Sequence, residues 1–213
     1  GKVISAGTGT GKTEAFLFPH ILVMILHKLK RDSEGTTLFC VYPRVRLSQN
    51  QLQRFLCYAI AVNELLEPLT QDKILVGMSN HEVPTDWQTL VNERCKVITP
   101  DGKRALALLN CPRRYYDEKL NINIECGSPI EVPIERSNTA LRCTEEDHEV
   151  PYIPTRQDQA AMRPDIMIVT SEMLHRTLMQ PAYNPLFSGK VKTFVIDEIH
   201  LYEGIHGSQI AML

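Results

Sequence analysis

Residues Val3-Ile4-Ser5-Ala6-Gly7-Thr8-Gly9-Thr10-Gly11-Lys12-Thr13-Glu14 constrain this chain more than any other stretch. They read as a short apolar strand, a glycine-rich turn and the start of a helix, the order a phosphate-binding loop requires. Glycines let the backbone curl until successive N–H groups point at phosphate oxygens, and the positive end of the helix dipole adds to the same spot. In this reading Gly7, Thr8, Gly9, Thr10, Gly11, Lys12, Thr13 and Glu14 line a nucleotide site. Lys12 would reach the terminal phosphates of ATP and the Thr13 hydroxyl would hold Mg²⁺. The pattern is Ala-x-x-x-x-Gly-Lys-Thr, with Ala6 where the stricter motif has Gly.

A second motif lies far downstream. Lys192-Thr193-Phe194-Val195-Ile196-Asp197-Glu198-Ile199-His200 is an apolar strand that ends in adjacent carboxylates. A parallel strand with Asp-Glu at its C-terminal end places acid where a metal ion and an attacking water belong. Two acids capping the next helix would give the same letters, but a Lys-Thr loop on the same chain favours the first reading.

The 213 residues, 43% of them hydrophobic and 23% charged, suffice for one sizeable core or for a domain plus an insertion. A net charge of -2 gives no global nucleic-acid signature, so any groove for DNA or RNA must be a local patch. The six cysteines, at 40, 57, 95, 111, 126 and 143, are scattered. They suggest a reducing compartment, here the cytoplasm, and no disulfide framework. The most apolar run, Ala15 to Leu26, is interrupted by Pro19 and His20 and is too short to span a bilayer, so no membrane partner is expected. The chain starts almost on the glycine loop and stops soon after the second motif, as an excised piece of a larger protein would.

Strand-like runs at Val3–Ser5, Thr37–Tyr42, Lys73–Val76, Lys96–Thr99, Asp165–Thr170 and Thr193–Ile196 alternate with helical patterns at Lys12–Arg31, Arg46–Asn63, Glu172–Met179 and from Gly207 onward. Continuous rather than alternating apolar runs suit strands buried on both faces, and strand–helix alternation predicts a parallel, doubly wound α/β sheet. Pro19 should kink the first helix. Residues 79–164 break the rhythm. Leu120–Cys126 and Ile130–Glu135 alternate strictly around Gly127-Ser128-Pro129, which predicts an antiparallel hairpin within a β-rich insertion. Trp87 is expected to anchor that insertion. The domain itself is then residues 1–78 and 165–213.

Taken together, Ala6-Gly7-Thr8-Gly9-Thr10-Gly11-Lys12-Thr13 and Asp197-Glu198-Ile199-His200 resemble the first RecA-like domain of superfamily 2 helicases, the DEAD/DEAH-box group. Tyr42-Pro43-Arg44-Val45-Arg46-Leu47-Ser48-Gln49-Asn50-Gln51 is similar to a Tyr-Pro-Thr-x-x-Leu-x-x-x-Gln segment that touches the nucleic-acid backbone in that family, with Arg44 in place of the Thr. Thr170-Ser171-Glu172-Met173-Leu174 resembles a Thr-Pro-Glu-Met-Leu element, and Gly77 stands where the family often has a glycine pair. The resemblance covers about the first 80 and last 50 residues. It implies a RecA-like P-loop fold, a parallel sheet flanked by helices and interrupted by the insertion. It implies ATP and Mg²⁺ as cofactors, with Lys12, Asp197, Glu198 and His200 in catalysis and with Thr13 and Asp197 on the metal. It also implies nucleic-acid contacts from Pro43, Arg44, Arg46, Gln51, Gly77, Thr170, Ser171 and Glu172. DNA is expected over RNA. A second RecA-like domain of the same protein would supply an arginine finger. The Asp-Glu-Ile-His-Leu-Tyr-Glu-Gly form of the second motif and the cysteine-bearing insertion are similar to bacterial antiphage-defence helicases of the DISARM type. An ATP-driven helicase or translocase is the reading this favours; a nucleotide-gated clamp that binds without unwinding is the alternative.

The insertion's cysteines, at Cys111-Pro112-Arg113-Arg114, Cys126-Gly127-Ser128-Pro129 and Cys143-Thr144-Glu145-Glu146, each look like half of a zinc knuckle. With His148 they number four potential ligands, but no Cys-x-x-Cys spacing occurs, so a ribbon held by packing is expected rather than zinc. Arg113-Arg114-Tyr115-Tyr116 mixes basic and aromatic residues, as a nucleic-acid or protein partner surface does, and as a surface turn also can.

Overall fold

The computed structural model describes residues 11–31, 35–118, 121–136, 141–187 and 191–202. Helix α1 (Lys12–Lys30) leads to β1 (Leu38–Tyr42), α2 (Val45–Leu66) and β2 (Val76–Ser79). A short α3 (Trp87–Thr89) continues as a π turn to Arg94 and opens a run of small strands. These are β3 (Cys95–Val97), β4 (Arg104–Asn110), β5 (Arg114–Asp117), β6 (Ile122–Glu125), β7 (Pro129–Val132), β8 (Leu141–Cys143), β9 (Glu149–Val150) and β10 (Tyr152–Ile153). Then follow α4 (Arg156–Met162), β11 (Ile166–Thr170), α5 (Ser171–Met179) and β12 (Thr193–Ile196). The expected strand Val3–Ser5, the loop residues Gly7, Thr8, Gly9 and Thr10, and the helix expected from Gly207 lie outside the described residues.

Strands β10-β2-β11-β1-β12 form one sheet, and every pairing within it is parallel. All five residues of β1 and all five of β11 are buried, as continuous apolar runs predict for strands covered on both faces. Side chains alternate between two cores: Leu38, Cys40 and Tyr42 pack with α1 and α2, while Phe39 and Val41 pack with Leu174 of α5 and with Leu186. On α1, Leu17, Ile21, Met24 and Lys28 recur at helical spacing and form its buried face. Pro19 stays within α1 on its exposed side, where water can reach the Ala15 carbonyl that its missing N–H leaves unpaired.

Strand β2 begins three residues later than the expected Lys73–Val76. Side chains explain the delay. Asn63 of α2 donates to the Ile74 carbonyl and accepts from the Ile74 N–H, at 3.0 and 2.8 Å, and Asp165 accepts from the Leu75 N–H at 2.8 Å. Polar side chains thus do for this apolar segment what a strand ladder would do. Gly77 falls in the middle of β2, where an added Cβ would stand 2.6 Å from Met167 and 2.7 Å from Pro164. Its lack of a side chain lets Pro164 and α4 close over the strand, so it stands under packing rather than at the expected nucleic-acid surface.

The second sheet, β3-β4-β7-β8-β9, is antiparallel throughout. It takes in the segment Lys96–Thr99, expected to continue the strand–helix rhythm, as an edge partner of β4. The expected hairpin forms differently: β6 pairs with β5, whereas β7 pairs with β4 and β8. Gly127 adopts φ 66° between them, but its N–H donates to the Cys111 carbonyl and turns the chain from one sheet to the next. Trp87 Nε1 donates to the Pro133 carbonyl at 3.2 Å and packs on the shared core, which ties the insertion as expected. Leu106, Ile130, Val132 and Leu141 of this sheet belong to the same buried cluster as β1, α1 and α2, and β10 joins the parallel sheet itself.

The C-terminal turn of α1 is fixed by a buried ion pair, Lys28 Nζ to Asp165 Oδ1 at 2.9 Å, at the start of β11. Replacing Lys28 with Met strands the Asp165 carboxylate in the core and should cost about 3 kcal/mol in urea denaturation. Asp165→Asn added to that variant should restore at least half of the loss; a double variant no better than Lys28→Met would show that the charge is not what matters.

Candidate nucleotide and nucleic-acid site

The register of the parallel sheet levels its strand ends. Val41 is paired with Val169 on one side and Ile196 on the other, and Val169 with Ser79. Beyond these residues the chain leaves the sheet at Pro43-Arg44, at Ser171-Glu172 and at Asp197-Glu198. Open α/β sheets bind ligands along this carboxyl edge. Helix α1 runs back against the strands: Lys28, near its end, meets the start of β11, while Thr13, at its start, meets α2 just beyond the end of β1. Its N-terminus, with Lys12, therefore opens on the same edge as Asp197 and Glu198.

Gly11, the residue before α1, holds φ 78°, a left-handed conformation that glycine adopts without strain, and no side chain caps the helix. Lys12 is half-buried and forms no ion pair among the described residues. Thr13 is buried, and its hydroxyl donates to Gln51 Oε1 at 3.4 Å. Gln51, expected to touch nucleic acid, thus turns toward the start of α1. The Glu14 side chain is also engaged: it accepts from the Tyr58 hydroxyl at 2.8 Å and pairs with Arg54. Burial pushes the Glu14 carboxyl up, but the Tyr58 hydrogen bond and the Arg54 charge outweigh it and hold the group below its ordinary value. Gln51, Arg54 and Tyr58 lie on one face of α2 at spacings of three and four, a helical pattern that could have marked them in the sequence.

At the other strand tip, Asp197 N–H donates to the Val41 carbonyl, and Asp197 Oδ1 accepts from the Glu198 N–H at 2.9 Å. Glu198 adopts φ 51°, a strained conformation for a residue with a side chain, and strain of this kind gathers at working sites. The exposed His200 places Nε2 3.4 Å from Glu198 Oε2. Arg44 and Arg46, at the start of α2, are exposed and pair with no carboxylate among the described residues. With Asn50, Glu198 and Leu201 they line an open cleft of about 640 Å³. The structure so brings Glu198 and the two arginines together. Pro43 is half-buried beside them, Glu172 is exposed, and Thr170 and Ser171 are buried.

Two residues outside the expected set stand near Asp197. The Tyr42 and Tyr202 hydroxyls are buried without a hydrogen-bond partner among the described residues. Burial, followed by Cys40 and then Asp197, raises the Tyr42 phenol; burial and then Asp197 raise that of Tyr202. Both stay protonated donors beside the carboxylate.

An orphaned buried hydroxyl is a cost to the fold. Tyr42→Phe should therefore leave the unliganded protein as stable or about 1 kcal/mol more stable, measured by urea denaturation. A loss of more than 1 kcal/mol would reveal a partner for that hydroxyl.

Among families of known proteins, the DEAD/DEAH box helicase family matches residues 2–120. That span takes in the glycine loop, the Pro43–Gln51 segment and β2, and ends before the Asp197-Glu198 tip. No curated protein matches the chain. None of the described helices is long and apolar enough to cross a membrane. The match extends over more than half of the 213 residues, and the parallel sheet between helices is the fold such a match requires: the chain belongs to the DEAD/DEAH box helicases, a family that uses ATP and a divalent metal to act on nucleic acid.

Proposed function

We propose that this chain is the nucleotide-binding half of an ATP-driven motor that moves along DNA or separates its strands. The observation that carries the reading is the cleft that Arg44 and Arg46 line together with Glu198. A carboxylate suited to ATP hydrolysis and two cations suited to phosphate occupy one opening, so a change at one can be felt at the other.

The residues suit the ligands. An uncapped helix start behind a left-handed glycine is an anion site. Thr13 and Asp197 offer the hard oxygens that Mg²⁺ prefers. Lys12 would bind the terminal phosphates, with the backbone of Gly7 to Glu14 around them, and Thr13 and Asp197 would hold the metal. Bound ATP and Mg²⁺ supply the phosphoryl group and neutralise its developing charge. Glu198 would orient the attacking water and take its proton on the carboxylate, and His200 would relay the state of that carboxylate to the nucleic-acid side. Arg44, Arg46 and Pro43 would meet the phosphate backbone, joined by Glu172 and by the main chain of Thr170 and Ser171. Contacts of this kind position without reading sequence. A second RecA-like domain of the same protein would complete the site with an arginine. DNA over RNA, and a place in antiphage defence, rest on the resemblance of the Asp-Glu-Ile-His element and the insertion. A cytoplasmic location is in keeping with six free thiols. The exposed Arg114, Tyr115 and Tyr116 of β5 would offer a protein partner its surface.

In the full-length protein, Glu198→Gln should lower nucleic-acid-stimulated ATP hydrolysis by at least 100-fold with nucleotide affinity retained. It should also abolish strand displacement. Wild-type protein that hydrolyses ATP and grips DNA but displaces no strand and does not move would be a clamp and not a motor. Arg44→Ala with Arg46→Ala should weaken binding to all sequences and reduce the salt slope of affinity by about two. An unchanged slope would place the phosphate contacts elsewhere.

A further inference from the structure

Three cysteines remote in sequence converge at one end of the insertion. Cys111 follows β4, Cys126 follows β6 and Cys143 closes β8, yet their sulfurs all lie within 4.8 Å of one another. Those of Cys126 and Cys143 are 3.6 Å apart, and all three are free thiols. The Nε2 of His148, just before β9, lies 3.2 Å from the Cys111 sulfur, although it stands outside the group of three whose ligand atoms all meet within 4.8 Å. A tetrahedral zinc with bonds of about 2.3 Å spaces its sulfurs about 3.8 Å apart. One ion fits this spacing; sulfurs that hold an iron–sulfur cluster must stand apart by the width of the cluster.

We propose that Cys111, Cys126, Cys143 and His148 bind one structural zinc ion that clamps the insertion. Sequence spacing argues against zinc, because no two cysteines form a knuckle. The fold supplies what spacing does not, drawing its ligands from three chain segments: the ends of β4 and β6 and the turn from β8 to β9. Backbone hydrogen bonds lock those segments in place. Cys111 N–H donates to the Ser128 carbonyl at 2.8 Å and Gly127 N–H to the Cys111 carbonyl at 3.0 Å. Cys143 N–H donates to the His148 carbonyl at 3.0 Å and Asp147 N–H to the Cys143 carbonyl at 3.1 Å. An independent observation points to a ligand. His148 Nδ1 is buried with no hydrogen-bond partner among the described residues, and the Glu146 carboxylate stands nearby at 3.8 Å, beyond hydrogen-bond reach. A histidine bound to zinc through Nε2 carries its proton on Nδ1 and donates it to such a carboxylate, a bond that a small shift of Glu146 would close.

With His148 drawn in beside Cys111, four protein ligands would close the coordination sphere, which marks a structural rather than a catalytic site. On binding, each thiol gives its proton to solvent and becomes a thiolate ligand. The consequence falls on β5 and β6, which form a two-stranded sheet of their own with mostly exposed side chains. Such a hairpin is marginal by itself. Cys111 lies just before it and Cys126 directly after it, so the ion would hold its base closed. Arg113 pairs with Glu146 and, at 3.0 Å, with Glu64 of α2, which seats the cluster against the main domain.

The test is metal analysis of the full-length protein, purified without added metal or chelator, by plasma mass spectrometry. About one zinc per chain is expected. Cys111→Ser and Cys143→Ser should lose it, Cys95→Ser and His148→Cys should keep it, and Glu146→Gln should weaken zinc affinity about tenfold. If the serine variants do not fold, the wild-type protein still decides the matter. Cobalt in place of zinc should give a thiolate charge-transfer band, and removing the ion should speed amide exchange in β5 and β6. Folded protein without zinc, iron with acid-labile sulfide, a Cys126–Cys143 disulfide, or zinc retained in both serine variants would each overturn the proposal.

Discussion

The direction in which α1 crosses the sheet decides where each charged group of the site stands. Two contacts fix it: the buried Lys28–Asp165 pair at one end and the Thr13–Gln51 hydrogen bond at the other. Both bind the helix to elements that enter or leave the parallel sheet, so the helix must run against the strands. Its positive end then opens on the carboxyl edge, where the sheet register has levelled Pro43, Ser171 and Asp197. A parallel sheet forces this segregation, since every strand delivers its C-terminal residue to the same side.

The insertion is part of this architecture rather than an appendage. Its antiparallel sheet shares one buried cluster with α1, α2 and β1, and β10 extends the parallel sheet. Gln159 of α4 donates to the carbonyls of both Met78 and Ile153, at 2.8 Å each, and so bridges the strand before the insertion to the one that ends it. Trp87 makes a similar tie from the insertion's first turn. A body joined by shared core and buried hydrogen bonds moves with its host.

Parts of this were legible in the sequence because their causes are local. Uninterrupted apolar runs gave β1, β11 and β12 to within a residue, and helical spacing gave α1 and α2, since burial on both faces or on one stripe leaves a direct pattern. The start of β2 was not legible, because Ile74 and Leu75 look like strand but have their backbone groups satisfied by Asn63 and Asp165, remote residues that no local window contains. Alternation marked β6 and β7 as strands but could not choose their partners, which the fold supplies from β5, β4 and β8. The same holds for the site. Lys12, Asp197 and Glu198 stand out in motifs, and Arg44 and Arg46 through a resemblance. Tyr42 and Tyr202 become visible when burial leaves their hydroxyls unpaired beside Asp197, and Gly77 shows its packing role when Pro164 is seen against it.

The account stands on Lys12 and Glu198 serving one nucleotide from two remote segments of the chain. A crystal structure of the full-length protein with Mg²⁺ and a non-hydrolysable ATP analogue measures this directly. The account predicts the terminal phosphates at the start of α1 within hydrogen-bond reach of Lys12, the metal between Thr13 and Asp197, and the Glu198 carboxylate facing the γ-phosphate. A nucleotide bound away from the carboxyl edge, or one that Lys12 reaches while Glu198 faces solvent, would contradict it.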